Sequence, residues 1–286
     1  MSEKILISSD STTDLSPELR AQYGVELMRM VVNLNEIDYV DGVDITPDDI
    51  YRNYEENRTL PKTSAPNLAD CAEFFRKYVE QGYSIVHFTI SAEMSSTYQN
   101  SVIAAQEFDN VHVVDTQNLS TGGGLLVLRA AELARRGMSA AMIAQECRRL
   151  APCVDASFVI DSLEFLHKGG RCSAVAMLGA NLMNFKPSII VKGGKMTVGK
   201  KYRGKFEQVL LKYLADRIDN EDDIDKSHVF ITHAGCDEAV VAACVSKLRT
   251  LGNFPSIHVT RAGCTVSSHC GRNTLGVLFI RKHPIG

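Results

Sequence analysis

The sequence predicts an α/β protein in two parts: an N-terminal, mostly parallel sheet with flanking helices, and a C-terminal mixed sheet with helices. Short apolar runs alternate with helical stretches over the first 150 residues, the pattern of βαβ units. The second half mixes crossover helices with a hairpin signal, Gly193-Gly194 between two strand-like runs. A length of 286 residues with 45% apolar side chains fits two domains with a sizeable core. The boundary is expected near residue 155, giving domains 1–155 and 156–286.

In order, residues 4–8 read as a strand. Residues 14–22 read as a helix, with Asp14 or Ser16 as N-cap and Pro17 in the first turn. Residues 25–32 form a second strand. Residues 67–81 are helical, because Leu68, Cys71, Phe74, Phe75 and Tyr78 recur at spacings of three and four. Strand 84–90, helix 97–107, strand 111–115 and helices 121–136 and 139–151 follow. Beyond them come strand 157–161, strands 188–192 and 195–201, helix 206–218, an acidic linker at 219–226, strand 228–233, helix 236–251 and strands 256–261 and 275–282.

Composition excludes several classes. A net charge of −3 gives no basic surface for nucleic acid. No apolar run reaches the length of a membrane span, and the N-terminus lacks the apolar region of a signal peptide, so a cytoplasmic protein is expected. The eight cysteines form no Cys-x-x-Cys and read as reduced, buried side chains. Cys264, His269 and Cys270 match no zinc spacing, so no metal is expected.

Candidate chemistry lies in hydroxyl-rich segments. Ser9-Asp10-Ser11-Thr12-Thr13-Asp14 follows the first strand, where a parallel sheet binds ligands; helix capping and a wall of a binding site are both open to it. Thr63-Ser64 and Ser95-Ser96-Thr97 each precede a helix, where free N–H groups favour an anion. The run Gly122-Gly123-Gly124 permits close backbone approach but fits neither a P-loop nor a dinucleotide fingerprint. Arg171, Arg203 and His269 are the candidate charged groups, with His269 in a turn-like run and read as a binder, not a general base.

Taken in order, these segments resemble the DegV family, which includes the fatty-acid-binding subunit of bacterial fatty acid kinase. The likeness rests on Ser9–Leu15, Lys62–Pro66, Ser95–Gln99, Val114-Asp115-Thr116, the glycine run, Leu166–Arg171, Asn184–Pro187, Tyr202-Arg203 and His269-Cys270-Gly271. It covers residues 4–282. The resemblance implies a long-chain fatty acid such as palmitate, stearate or oleate between two α/β domains, the second closing the acyl pocket. Its carboxylate would meet Thr63, Ser64, Ser95 and Ser96, with His269 and Arg203 nearby. There would be no catalytic residue and no cofactor. A separate ATP-dependent kinase subunit would meet the surface carrying Arg171 and make the acyl phosphate for phospholipid synthesis. Two departures fall at the site: Ser96 stands where the family usually has Gly, and Arg272-Asn273 where it usually has Pro-Gly. Two other readings remain: a hydrolase or phosphotransferase using Ser95 or His269, and a small-anion sensor.

Overall fold

A computed structural model describes residues 3–173, 185–218 and 221–285. The first half runs β1 (Ile5–Asp10), α1 (Pro17–Tyr23), β2 (Val25–Met28), β3 (Val31–Leu34), β4 (Ile37–Val40), α2 (Pro47–Asn57), β5 (Lys62–Ser64), α3 (Leu68–Val79), β6 (Ser84–Thr89), α4 (Thr97–Ala105), β7 (Val111–Asp115), α5 (Thr121–Arg135) and α6 (Ala140–Leu150). The second runs β8 (Val154–Ile160), α7 (Glu164–Gly169), β9 (Lys186–Lys192), β10 (Lys195–Tyr202), α8 (Phe206–Arg217), β11 (Ile224–Ala234), α9 (Glu238–Leu251), β12 (Ile257–Arg261), α10 (Cys264–Cys270) and β13 (Thr274–Arg281).

The predicted division of sheets is present. Strands β2-β1-β6-β7 form a four-stranded sheet, parallel throughout. Strands β10-β9-β8-β13-β11-β12 form a six-stranded sheet, antiparallel except between β11 and β12. A third, small antiparallel sheet, β4-β3-β5, was not expected. It corrects the reading of 25–32 as one strand: β2 joins the parallel sheet and β3 the small one, with Arg29 and Met30 turning between them.

Local chemistry explains the main elements. Ser16 caps α1 by accepting from the Leu19 N–H, and Pro17 takes the first helical position. Reciprocal capping boxes start α2 (Thr46 with Asp49) and α3 (Asn67 with Asp70). Helix α5 is buried between the two large sheets, touching β1, β6, β8, β11 and β13. The glycine run permits this. A Cβ on Gly122 would lie 2.8 Å from Asn118 Oδ1, and one on Gly124 would lie 2.9 Å from Leu15 Cδ2 and 3.0 Å from the Thr13 carbonyl. The close backbone approach that these glycines permit is to neighbouring segments of the chain. The largest apolar cluster joins both halves around α5, including Phe88, Leu126, Phe158, Ile189 and Phe230. All eight cysteines are buried.

Candidate functional site

Strand β5, the segment between β6 and α4, and helices α7 and α10 converge on a cavity of about 350 Å³. One end is polar, with Thr63, Ser64, Ser95, Ser96, Arg171 and His269. The remainder is largely apolar, with Met30, Ile90, Met94, Leu119, Phe158, Leu166, Met196 and Val266. A second cavity of about 40 Å³ shares Leu119, Phe158, Val266 and Cys270 with the first.

The polar end is built from distant parts of the chain. Thr63 lies on β5, held opposite Val32 of β3. Thr63-Ser64 precedes α3 as expected but does not adjoin its first turn: the segment is a short edge strand, and α3 starts at its own cap Asn67. His269 lies in the last turn of α10, not in a loop as the sequence suggested. Its Nε2 stands 2.9 Å from Thr63 Oγ1. Its Nδ1 is buried without a hydrogen-bond partner among the described residues. Burial, with the Arg171 guanidinium second, holds its pKa down at about 4, so the ring is neutral at pH 7. A proton on Nδ1 would be an orphaned buried donor, so it sits on Nε2 and is donated to Thr63 Oγ1. That leaves the Thr63 hydroxyl proton free for the cavity.

Helix α7 packs closely behind the imidazole. A Cβ on Gly169 would come within 2.5 Å of His269 Nδ1, so only glycine fits there. The next turn places Arg171 at the rim, its Nη1 donating to the Gly169 carbonyl at 2.7 Å. Arg171 therefore lines the cavity. Arg203 does not: it is exposed, its guanidinium 5.9 Å from the Phe185 ring centroid. Asn184 lies outside the described residues.

Across the cavity, Ser95 Oγ lies 2.8 Å from Thr97 Oγ1 and accepts from the Thr97 N–H. Ser96 occupies the N-cap position of α4 but makes no capping bond and is exposed at the rim. Neither serine is paired with His269, whose ring partner is Thr63.

The Ser9–Asp14 segment is not a wall of the cavity. Its side chains are buried and bonded inward: Ser9 Oγ to Thr13 Oγ1 at 2.9 Å, and Asp10 Oδ2 to the Ile90 N–H at 2.7 Å. Burial pushes the carboxyls of Asp10 and Asp14 up to about 6 and about 8. Among the described residues no group of three or more His, Cys, Asp and Glu side chains is placed to hold a metal, and no helix is long and apolar enough to cross a membrane.

A family model described as uncharacterised protein, DegV family, matches residues 4–282. The chain belongs to the DegV family. A DegV domain-containing protein of Deinococcus radiodurans is 34% identical, over 96% of this chain and 97% of the relative. Among solved structures, a DegV family protein of Thermus thermophilus, described for its fatty acid binding, is 33% identical with a TM-score of 0.90, covering 97% of this chain and 99% of that one. A stearic acid-binding protein of Eubacterium ventriosum is 29% identical with a TM-score of 0.83, covering 97% and 98%. The two-sheet α/β architecture is thus that of known DegV structures.

Proposed function

We propose that this DegV protein binds one long-chain fatty acid, such as palmitate, stearate or oleate, non-covalently. In this reading Thr63, Ser64, Ser95 and Ser96 receive the carboxylate, with His269 behind Thr63 and Arg171 at the rim. The tail occupies the apolar cavity between residues 1–155 and 156–286. Arg203 is left out of this set, because it stands outside the cavity lining. The observation that carries the reading is the Thr63–His269 pair, 2.9 Å apart, in the lining of a mostly apolar cavity. A neutral ring that gives its proton to Thr63 leaves a hydroxyl donor for a carboxylate and demands no counter-charge.

The energetics suit such a ligand. Burying about 15 methylenes at ~0.8 kcal/mol each yields roughly 12 kcal/mol. Ordering the chain and losing its free motion returns several kcal/mol or more, leaving micromolar or tighter affinity within reach. The donors set orientation and keep the carboxylate from being buried unpaired.

The proposed role is presentation, not catalysis. The carboxylate, held at the rim beside Arg171, would be offered in the cytoplasm to a separate ATP-dependent kinase subunit for acyl-phosphate formation and phospholipid synthesis. Ser95 Oγ pairs with Thr97 and has no base beside it among the described residues, and His269 gives its Nε2 proton to Thr63 Oγ1 instead of accepting one, so the ring is not set as a base toward that hydroxyl. A mostly apolar lining favours a long tail over a small anion.

The test is native mass spectrometry of protein purified from bacterial cells, before and after incubation with palmitate, stearate or oleate. A mass increment of one fatty acid is expected. A chain that stays empty under both conditions would end the proposal.

A further inference from the structure

The Ser9–Asp14 segment and Asp41 have no place in the cavity, yet their carboxylates reach the helix that carries His269. Helix α10 begins at Gly263, a residue with no side chain to cap it. Its first N–H groups are taken instead by two aspartate side chains from the first half of the chain. The Gly263 N–H donates to Asp14 Oδ1 at 2.7 Å. The Cys264 N–H donates to Asp41 Oδ1 at 2.9 Å, and the Thr265 N–H and Oγ1 donate to Asp41 Oδ2 at 3.3 and 2.8 Å. Ser11 Oγ also donates to Asp41 Oδ2, at 2.9 Å, and accepts from the Met30 N–H, so the aspartate is itself tied to the β1 and β3 region. Asp41 is 2% exposed and Asp14 7%. Room for this arrangement depends on residue 263, where a Cβ would lie 3.1 Å from Asp14 Oδ1.

Thr63 and His269 lie 206 residues apart, and their pairing requires α10 to be seated against β3 and β5. A seven-residue helix holding Thr, Val and Ser has little intrinsic stability. Its position is therefore set from outside, by its packing against α2, α7, β3 and β5 and by what holds its first turn. We infer that Asp41, backed by Asp14, is the positioning residue for His269: a carboxylate latch from the first half of the chain that seats α10 and so assembles the Thr63–His269 pair. The inference rests on the proposed acid-binding role, but its test does not depend wholly on it.

The decisive variant is Asp41→Asn, which keeps size and one acceptor oxygen but turns an NH2 group toward donors. His269 is followed by imidazole NMR without ligand, and oleate affinity by displacement of a fluorescent fatty acid. The latch predicts that the titration midpoint of His269 rises from about 4 toward the ordinary 6.5 and that oleate binding weakens at least tenfold. It also predicts that Thr63→Ala costs little further affinity in the Asp41→Asn background, because the pair is already lost. Val159→Ala, a fully buried change in an apolar cluster separate from the one around α5, is the control for general destabilisation and should move neither readout. If Asp41→Asn does not fold, Thr265→Val removes one donor to Asp41 and is expected to shift His269 the same way, with about a threefold loss of affinity. Unchanged His269 signals in a folded variant overturn the latch. A wild-type protein that takes up no oleate overturns the acid-binding role instead, while the His269 signals still decide the latch.

Discussion

Two hydroxyl-rich regions of this protein look alike in sequence and behave differently. In Ser9–Thr13 every side chain is buried, and the hydroxyls and Asp10 close on one another, on Asp41 and on backbone groups. At the cavity rim, Thr63 and Ser95 are half-buried, Ser64 and Ser96 are exposed, and Ser96 spends no bond on the helix it precedes. Residue type does not separate capping from binding. What separates them is whether donor capacity is used up inside the fold or left facing open space.

The comparison can be broken by exchanging the expected effects. Asp10→Ala should cost about 3 kcal/mol of folding free energy, since the Thr12 and Ile90 N–H groups lose their acceptor at roughly 1–3 kcal/mol each. Urea titration measures it, and oleate affinity of the folded protein should stay within about twofold. Thr63→Ala combined with Ser95→Ala should do the reverse. Two lost bonds to a carboxylate, at roughly 1.5–3 kcal/mol each, predict about a hundredfold weaker oleate binding or more, with a stability cost confined to the His269 Nε2–H left without its acceptor, about 1 kcal/mol. An unchanged affinity in that double variant would place the carboxylate elsewhere.

The pH profile sharpens the same contrast. Asp10 and Asp14 have folded pKa values raised to about 6 and about 8, so the native state holds protons that the unfolded state releases near 4. Their contribution is full below pH 4 and is lost as pH rises through 6 and then 8. Asp14→Asn should flatten the upper part of that fall. His269 has the opposite sign: depressed to about 4, its contribution is present above 6.5 and lost as pH falls through 4. Urea midpoints measured from pH 4 to 9 resolve the two slopes. The smallest effect is expected from Ser96→Gly, which restores the residue usual in the family. With no capping bond to lose, stability should change by no more than about 0.5 kcal/mol and affinity by less than about threefold.

Much of the scaffold was legible because its signals are local. Alternation of strand and helix marked the parallel sheet, and Gly193-Gly194 marked the hairpin between β9 and β10. Helix α2 also carries a local signal, Thr46-Pro47-Asp48-Asp49, although α2, β4 and β5 are absent from the expected order of elements. Helix α10 had no such signal. Its sequence reads as a turn because its caps, Asp14 and Asp41, lie more than two hundred residues away. The same reason hid the Thr63–His269 pair and the placement of Arg171 beside it. The apolar lining was illegible on different grounds: Met30, Met94 and Phe158 are the residues any core would use.

Strand β5 is three residues long, and its alignment with β3 sets which of them meets the imidazole: Val32 lies opposite Thr63, with Lys62 and Ser64 on either side. Successive residues of a strand alternate faces, so a slip by one position brings the wrong neighbour to His269. Losing one residue between Arg58 and Pro61 would put an ammonium or a shorter alcohol where the threonine stands, with no substitution at the site. The chemistry of the mouth is therefore exposed to loop-length change as much as to point mutation. Homologues that differ in the length of this loop should be aligned by strand pairing before their binding residues are compared.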